Sequence, residues 1–500
     1  DIHLENYVFR ATESRGYWSP PNLGVVGALS HARFESVLSI TILPTVYSLL
    51  LDVEGEIIFK IIYPLIFSLV PLVLYRIYEV QMRRSVALFS VFFFMSSPYA
   101  FFGAEPLSLG RQMVGEFFLV LSIFLLVDKS MSEQKQRVLF LVFGAALVVS
   151  HYALSYFYVF LVVLTFLLLR KWRSRKLLSA VSVLLLLTMT FLWYLYISDA
   201  PLIKLTEDFR RIYYNFIEDL LNPAARAPQL STLSSPPPSI VSLIHRIVFY
   251  VQNLLIIIGV IQLIAKRTKT EIDSKYRLMS IISMGILVSC LAIPYLATSF
   301  QLTRFYAITI IFLSPFFVLG GESVFNWITK TLHVSLPRKT NVLQLVSIVL
   351  IICFLFSVGF VDHIAGTYPE SLSLDKEGRK TSDDLGIRMS YYDTIIPEQD
   401  VFSATWLSKH MNTSSIVYAD TVSRDGVLNS YGLIPLYESY SIFAYSVEMR
   451  DSYVYLRYVN VVEEVVITPK VSNLSLISSA LDFSNKIYAS GASEIYSSPG

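Results

Sequence analysis

The sequence predicts a polytopic α-helical membrane protein that ends in a small soluble α/β domain. Three observations carry that prediction: 54% hydrophobic against only 16% charged residues, ten apolar windows bounded by charge clusters, and a rise in polarity after Val361. Ordinary globular chains carry about 25% charged residues, so a chain this apolar belongs in a bilayer. The net charge of +2 is spread along loops rather than pooled in a patch, and nucleic acid is not an expected partner. Cys290 and Cys353 both lie in apolar runs, which indicates neither a disulfide framework nor a thiolate metal site. The first residue is Asp rather than Met, and a helix preceding it is expected.

Residues 1–56 read as a first outer loop with interfacial helices. Val37 to Leu51 is apolar enough to resemble a span, yet counting it would invert every later loop. Pro44 and the adjoining Asp52, Glu54 and Glu56 fit a helix lying on the membrane or re-entering it. The transmembrane domain, 57–361, then contains crossings near 57–75, 86–102, 113–127, 138–150, 153–169, 177–197, 244–265, 278–297, 305–319 and 342–361.

Loop charges set the orientation, because short cytoplasmic loops concentrate Lys and Arg. With the loop after the first span inside, the inner loops hold nineteen: Arg76, Arg83, Arg84, Lys129, Lys135, Arg137, Arg170, Lys171, Arg173, Arg175, Lys176, Lys266, Arg267, Lys269, Lys275, Arg277, Lys330, Arg338 and Lys339. The loops between spans on the other side hold six: Arg111, Lys204, Arg210, Arg211, Arg226 and Arg304. The same bias splits Val138 to Leu169 into two helices joined by an outer turn at Ser150-His151-Tyr152. One long crossing would export the cluster from Arg170 to Lys176.

In the outer loop 198–243, Phe209, Ile212, Phe216 and Leu220 recur at helical spacing beside Arg210, Arg211, Glu218 and Asp219, the pattern of an amphipathic interfacial helix. Ser231 to Ser239, with its run of three prolines, reads as a connector. No internal repeat stands out.

Residues 362–500 form an outer α/β domain on this topology. Asp400 is read as capping a helix that runs through Leu407, Ser415 to Ala419 as a buried strand, and Tyr453 to Ile467 as containing another. Leu476 to Ala489 resembles a helix, and Glu494 to Tyr496 a last strand. Asp420 ends a strand, where either a ligand group or a turn or helix cap belongs. No GxGxxG or P-loop occurs, so nucleotide binding is not inferred. Asn412-Thr413-Ser414 and Asn473-Leu474-Ser475 match the glycosylation acceptor pattern.

Once sides are assigned, the outer-face candidates for chemistry are few. Asp1 and Glu5 share one face if the segment is helical. They can activate a hydroxyl as general bases, or hold a divalent cation together with His3; the alternative is a solvated loop. Arg111 suits a lipid phosphate and Glu105 a sugar hydroxyl, against a mutual salt bridge or snorkelling at a helix start. Arg304 carries the same two readings. His151 is either a hydrogen-bonded turn residue or a ligand and acid–base group.

The order of these parts resembles the GT-C superfamily of polytopic glycosyltransferases, whose members place an acid in the first outer loop, interfacial helices beside it, many further spans and often a soluble C-terminal domain outside. Asp1-Ile-His3-Leu-Glu5, the segment Val37 to Leu51 and the domain after Val361 match that order. More narrowly, Ile42-Leu-Pro-Thr-Val-Tyr-Ser-Leu-Leu, Lys60-Ile-Ile-Tyr-Pro-Leu, Val149-Ser-His-Tyr and Asn485-Lys-Ile-Tyr are similar to an archaeal family of multi-pass membrane proteins. The resemblance implies a GT-C-like fold in the cell membrane, a polyprenyl-phosphate-linked sugar donor and an extracytoplasmic acceptor that is a glycan, lipid or protein. It also implies a first-loop base, Asp1 ahead of Glu5, with Arg111 and Arg304 placed for the departing phosphate. No cofactor is required, and a divalent metal is compatible with the scheme. The chain has no WWDYG-like motif, which argues against whole-glycan transfer to asparagine. Two other classes remain open: a lipid or solute transporter or flippase, and a non-catalytic envelope protein that binds a partner through its outer domain.

Overall fold

The computed structural model describes residues 2–19, 33–97, 99–101, 109–169, 178–198, 200–220, 222, 225, 235–237, 239–266, 271–331, 342–367, 376–412, 415–435, 437–442, 451–468, 470–482 and 484–498. It divides into two compact units. One joins Asp1–Ile58 to Asp375–Gly500; the other is Phe59–Leu374.

In the first unit, α1 (Ile2–Arg15) buries Leu4, Glu5, Tyr7, Val8, Phe9 and Thr12. Phe9 lies against Gly55, where a Cβ would come within 2.2 Å of its ring and force the ring to move. Helix α2 (Ile42–Leu51) has its proline in the first turn, where no intrahelical donor is lost. It ends at Asp52 in the left-handed region (φ 53°) and leaves Leu49, Leu50 and Leu51 exposed. Ser48 Oγ donates to Glu13 Oε1 at 2.7 Å and ties α2 to α1.

The second unit is built from helices α3 (Gly55–Glu79, which begins just inside the first unit), α4 (Arg84–Ser96), α5 (Gly110–Val127), α6 (Glu133–Ser150), α7 (Tyr152–Leu169), α8 (Ala180–Ile197), α9 (Ala200–Asn215), α10 (Ile240–Ile264), α11 (Ser274–Ala292), α12 (Leu296–Phe300), α13 (Leu302–Thr331) and α14 (Val342–Ser357). Among the described residues, α3, α5, α7, α8, α10, α11 and α13 are long and apolar enough to cross a membrane. Helices α4 and α14 are shorter, and α6 carries Glu133, Lys135 and Arg137 in its first turns. This is a multi-pass membrane protein. The helix break expected near 150–152 is present, with His151 in extended backbone (φ −160°) between α6 and α7. The amphipathic helix of the following loop, α9, starts earlier than its apolar spacing indicated and ends at Asn215, leaving Phe216 and Leu220 in the turn that follows. The connector 231–239 falls mostly outside the described residues, as does the charge cluster at 170–176.

Helix α13 is the centre of this unit, buried continuously from Tyr306 to Gly321. Pro315 interrupts its hydrogen-bond ladder, because a proline nitrogen cannot donate to the carbonyl of Ile311 four residues back. In a bilayer that carbonyl must find another donor. The Tyr78 hydroxyl supplies it at 2.7 Å, while the Tyr276 hydroxyl donates to the neighbouring Phe312 carbonyl at 3.0 Å. Close packing against α10 depends on paired glycines: a Cβ on Gly259 would sit 2.0 Å from the Phe316 carbonyl oxygen, and one on Gly320 would sit 1.9 Å from that of Leu255. Phe93 of α4 stacks on Phe317 with centroids 4.0 Å apart. At one end of the bundle Arg83 pairs with Glu322 at 2.6 Å, and the Asp273 backbone N–H donates to Gln81 Oε1.

The C-terminal part of the first unit has helices α15 (Leu385–Tyr392) and α16 (Glu398–His410) and a five-stranded sheet in the order β2-β1-β3-β7-β6. The strands are β1 (Ile416–Ala419), β2 (Ser439–Ser441), β3 (Ser452–Leu456), β4 (Val465–Thr468), β5 (Lys470–Asn473), β6 (Asn485–Ala489) and β7 (Glu494–Ser498). Strand β1 runs parallel to β2 and β3, β7 antiparallel to β3 and β6, and β4 with β5 forms a separate antiparallel pair. Both faces are covered. Tyr455 packs with Leu407, Val417, Val427 and Ile495, while its neighbours Val454 and Leu456 point the other way, toward Ile442, Val466 and Ile477.

Two local expectations are corrected. Asp400 is not a cap: α16 starts after Pro397, and Asp400 lies buried in its first turn. Residues 476–489 are not one helix, because helical turns end at Asp482 and 485–489 form strand β6, paired with β7. Cross-strand hydrogen bonds there override an apolar spacing compatible with a helix.

Candidate functional site

Three of the sequence-predicted residues come together in the membrane unit. Helix α5 starts after Leu109 in extended backbone, which puts Arg111 in its first turn, fully buried. His151, 2% exposed, directly precedes α7, and Arg304 lies in the first turn of α13. Both guanidinium groups are close enough to act electrostatically on the His151 ring. Gly115 lets α5 approach this point, since a Cβ there would lie 3.0 Å from His151 Cβ and 2.8 Å from Leu154 Cδ1.

The site has a defined polarity. His151 Nδ1 accepts the Leu154 backbone N–H at 3.3 Å, so the proton of the neutral ring sits on Nε2. That Nε2 is buried with no hydrogen-bond partner. Two guanidinium groups, one free imidazole N–H and the starts of α5, α7 and α13 therefore present donors and positive potential together. Such a constellation has the chemistry to accept an oxyanion such as a phosphate.

One residue here was missed from sequence. Glu116, one turn below Arg111 on α5, is buried; Gln112 Nε2 donates to its Oε1 at 2.8 Å, and Oε2 has no partner. The available signal was an acid inside an apolar run, preceded four residues earlier by a glutamine.

The first-loop candidates lie in the other unit. Asp1 and Glu105 fall outside the described residues. Glu5 is fully buried on α1 rather than solvated in a loop. The same helix is fastened to the C-terminal domain: Ser430 Oγ donates to the His3 carbonyl at 2.5 Å, the His3 and Tyr431 ring centroids are 6.3 Å apart, and α1 packs on the π-helical turn Arg424–Asn429. Among the described residues no group of three His, Cys, Asp or Glu side chains is placed to hold a metal ion.

The carboxyl ends of β1 and β3 gather a second polar group. Asp420 is a helix cap, accepting the Ser423 N–H at 2.7 Å and the Asn460 side-chain amide at 2.6 Å. Arg457, fully buried, donates to the Tyr392 carbonyl and to Asp393. Asp400 accepts the Tyr458 N–H at 2.8 Å. Burial pushes its carboxyl up to about 7, against the pull of that N–H and of Arg457. These side chains bond mainly to one another and to nearby backbone inside the domain, with Asp400 Oδ2 and Arg457 Nε left without a partner. Asn473 Oδ1 is engaged by the Ser475 N–H, while the triplet beginning at Asn412 is only partly described.

A family model described as a predicted membrane protein (DUF2206) matches residues 136–498. No curated protein matches the chain. Among solved structures, the archaeal oligosaccharyltransferase AglB from Archaeoglobus fulgidus, in complex with an inhibitory peptide and a dolichol-phosphate, is similar with a TM-score of 0.47 and 9% identity. The match covers 86% of this chain and 59% of that one, so this chain spans less than two thirds of the length of its structural neighbour.

Proposed function

We propose that this chain, which belongs to the DUF2206 family of predicted membrane proteins, is a GT-C-like glycosyltransferase that moves a sugar from a polyprenyl-phosphate donor to an extracytoplasmic acceptor. The observation that carries the reading is the group of Arg111 and His151, both buried, with the half-buried Arg304, gathered where three helices begin. The loop-charge asymmetry supports reading that end of the bundle as the outer one.

In the proposed reaction the acceptor hydroxyl oxygen attacks the anomeric carbon. A first-loop carboxylate, Asp1 or Glu5, takes the hydroxyl proton. The bond from the anomeric carbon to the phosphate oxygen breaks, and its electron pair leaves on the lipid phosphate. Arg111, Arg304 and the His151 Nε2 proton stabilise the charge that develops there. Phosphate is already a competent leaving group, so the scheme requires no metal step.

Binding of a dolichyl phosphate to the detergent-solubilised protein tests the site. Arg111→Gln and Arg304→Gln each remove a charge-assisted hydrogen bond worth about 1.5–3 kcal/mol, and should weaken binding by roughly ten- to 150-fold. Unchanged affinity in both variants would sink the phosphate assignment. Transfer from a polyprenyl-phosphate sugar by Asp1→Asn and Glu5→Gln tests the base, and full activity in both would eliminate it.

A further inference from the structure

The corner that delivers Arg304 is held by a clasp from the preceding loop. Tyr295 stands between α11 and α12 in the left-handed region (φ 60°), and Gln301, which closes α12, is there as well (φ 59°). Neither is glycine, and such residues persist only where their surroundings over-determine them. For Tyr295 those surroundings are three contacts from residues 211–225. Its hydroxyl donates to Asp219 Oδ2 at 2.7 Å, its backbone N–H donates to the Ala225 carbonyl at 2.9 Å, and the Arg211 guanidinium lies 4.5 Å from its ring centroid. Asp219 is braced in turn by the Asn222 side-chain amide at 2.7 Å.

The corner then passes this constraint to Arg304. The Tyr295 carbonyl accepts from Ser299 N and Thr298 Oγ1, which starts the single turn of α12. Ala297 packs with Cys290, and Leu296, Leu302 and Phe305 close around that pair. Leu302 and Phe305 flank Arg304, whose own N–H donates to the Gln301 carbonyl at 3.1 Å. The corner, α12 and the first turn of α13 thus form one packed piece with Arg304 on it.

We infer that Tyr295, clasped by Arg211 and Asp219, is a positioning residue that sets Arg304 for the lipid phosphate. The inference rests on the reading of Arg304 as a phosphate ligand. It gives the outer loop a role in donor binding although the clasp itself touches no donor.

Dissociation constants for dolichyl phosphate, measured on the full-length protein as a double-mutant cycle, test it. Tyr295→Ala should weaken binding about fivefold or more when Arg304 is present and change nothing further in an Arg304→Gln background, because the two act through one contact. Tyr295→Phe keeps the ring under Arg211 and should lose less than Tyr295→Ala. Asp219→Asn, which leaves Tyr295 itself intact, provides the same comparison if the alanine variant does not fold. Equal losses in both backgrounds, or none in either, overturn the clasp while leaving the phosphate site standing. Full affinity in the Arg304→Gln single variant removes Arg304 as a phosphate ligand and the clasp with it, while the phosphate assignment itself falls only if Arg111→Gln is also unaffected.

Discussion

Replacing Asp400 should abolish a large part of the loss of stability that the first unit suffers as pH rises from 4 to 8. The side chain is fully buried in the first turn of α16, and burial raises its pKa from 3.8 to about 7 despite the Tyr458 N–H and the nearby Arg457. Between those two values the folded state holds a proton that the unfolded chain has released. Stability therefore falls as pH rises through that window, by about 1.4 kcal/mol per pH unit and about 4 kcal/mol across it. For a unit of this size each kcal/mol moves the midpoint by about 2–4 °C, so the group should lower Tm by roughly 8–16 °C between pH 4 and pH 8. Differential scanning calorimetry of the full-length protein in detergent, wild type against Asp400→Asn, measures this. Asparagine keeps an acceptor for Tyr458 N–H but cannot ionise, so its Tm should be much flatter over the same range. Identical pH slopes in the two proteins would refute the reasoning.

Further perturbations follow from the packing. Tyr78→Phe removes the donor that replaces the one missing at Pro315 and should cost about 1–3 kcal/mol, read as a lower Tm of the solubilised protein. An unchanged Tm would mean that the Ile311 carbonyl is satisfied elsewhere. Gly259→Ala drives a methyl group into the Phe316 carbonyl and should cost about 1–3 kcal/mol or more, with poor recovery of folded protein; a variant as stable as wild type would contradict the close approach of α10 and α13. Gly55→Ala collides with the Phe9 ring rather than with backbone, so its destabilisation should be largely rescued by Phe9→Ala in the same chain. If the second change instead adds to the first, the two residues are not in contact.

Much of the architecture was legible because hydropathy and charge act residue by residue. Each expected crossing meets a helix of the membrane unit, and the break at His151 was read from where the cluster at 170–176 had to lie. The α/β domain was legible in outline, from the strand at Val417 and the helix through Leu407. It failed locally where pairing decides: the spacing of Leu476, Ile477 and Leu481 suits a helix, but β7 takes 485–489 into the sheet. Glu5 was read as a candidate in a loop because nothing in Asp-Ile-His-Leu-Glu announces that the helix will be buried against residues more than four hundred positions later. Glu116 went unread although an acid in an apolar run is a visible signal.

The sequence by itself determined that this is a multi-pass membrane protein with a soluble α/β end, because the transfer of each side chain between water and hydrocarbon is a property of that residue and its near neighbours. Only the tertiary structure decided that Arg111 and Arg304 come near His151, that a tyrosine from α3 completes the helix broken at Pro315, and that α1 belongs with the C-terminal domain. Those are encounters between residues far apart in the chain. They depend on which helix faces pack together, and no local pattern of hydropathy or charge specifies that.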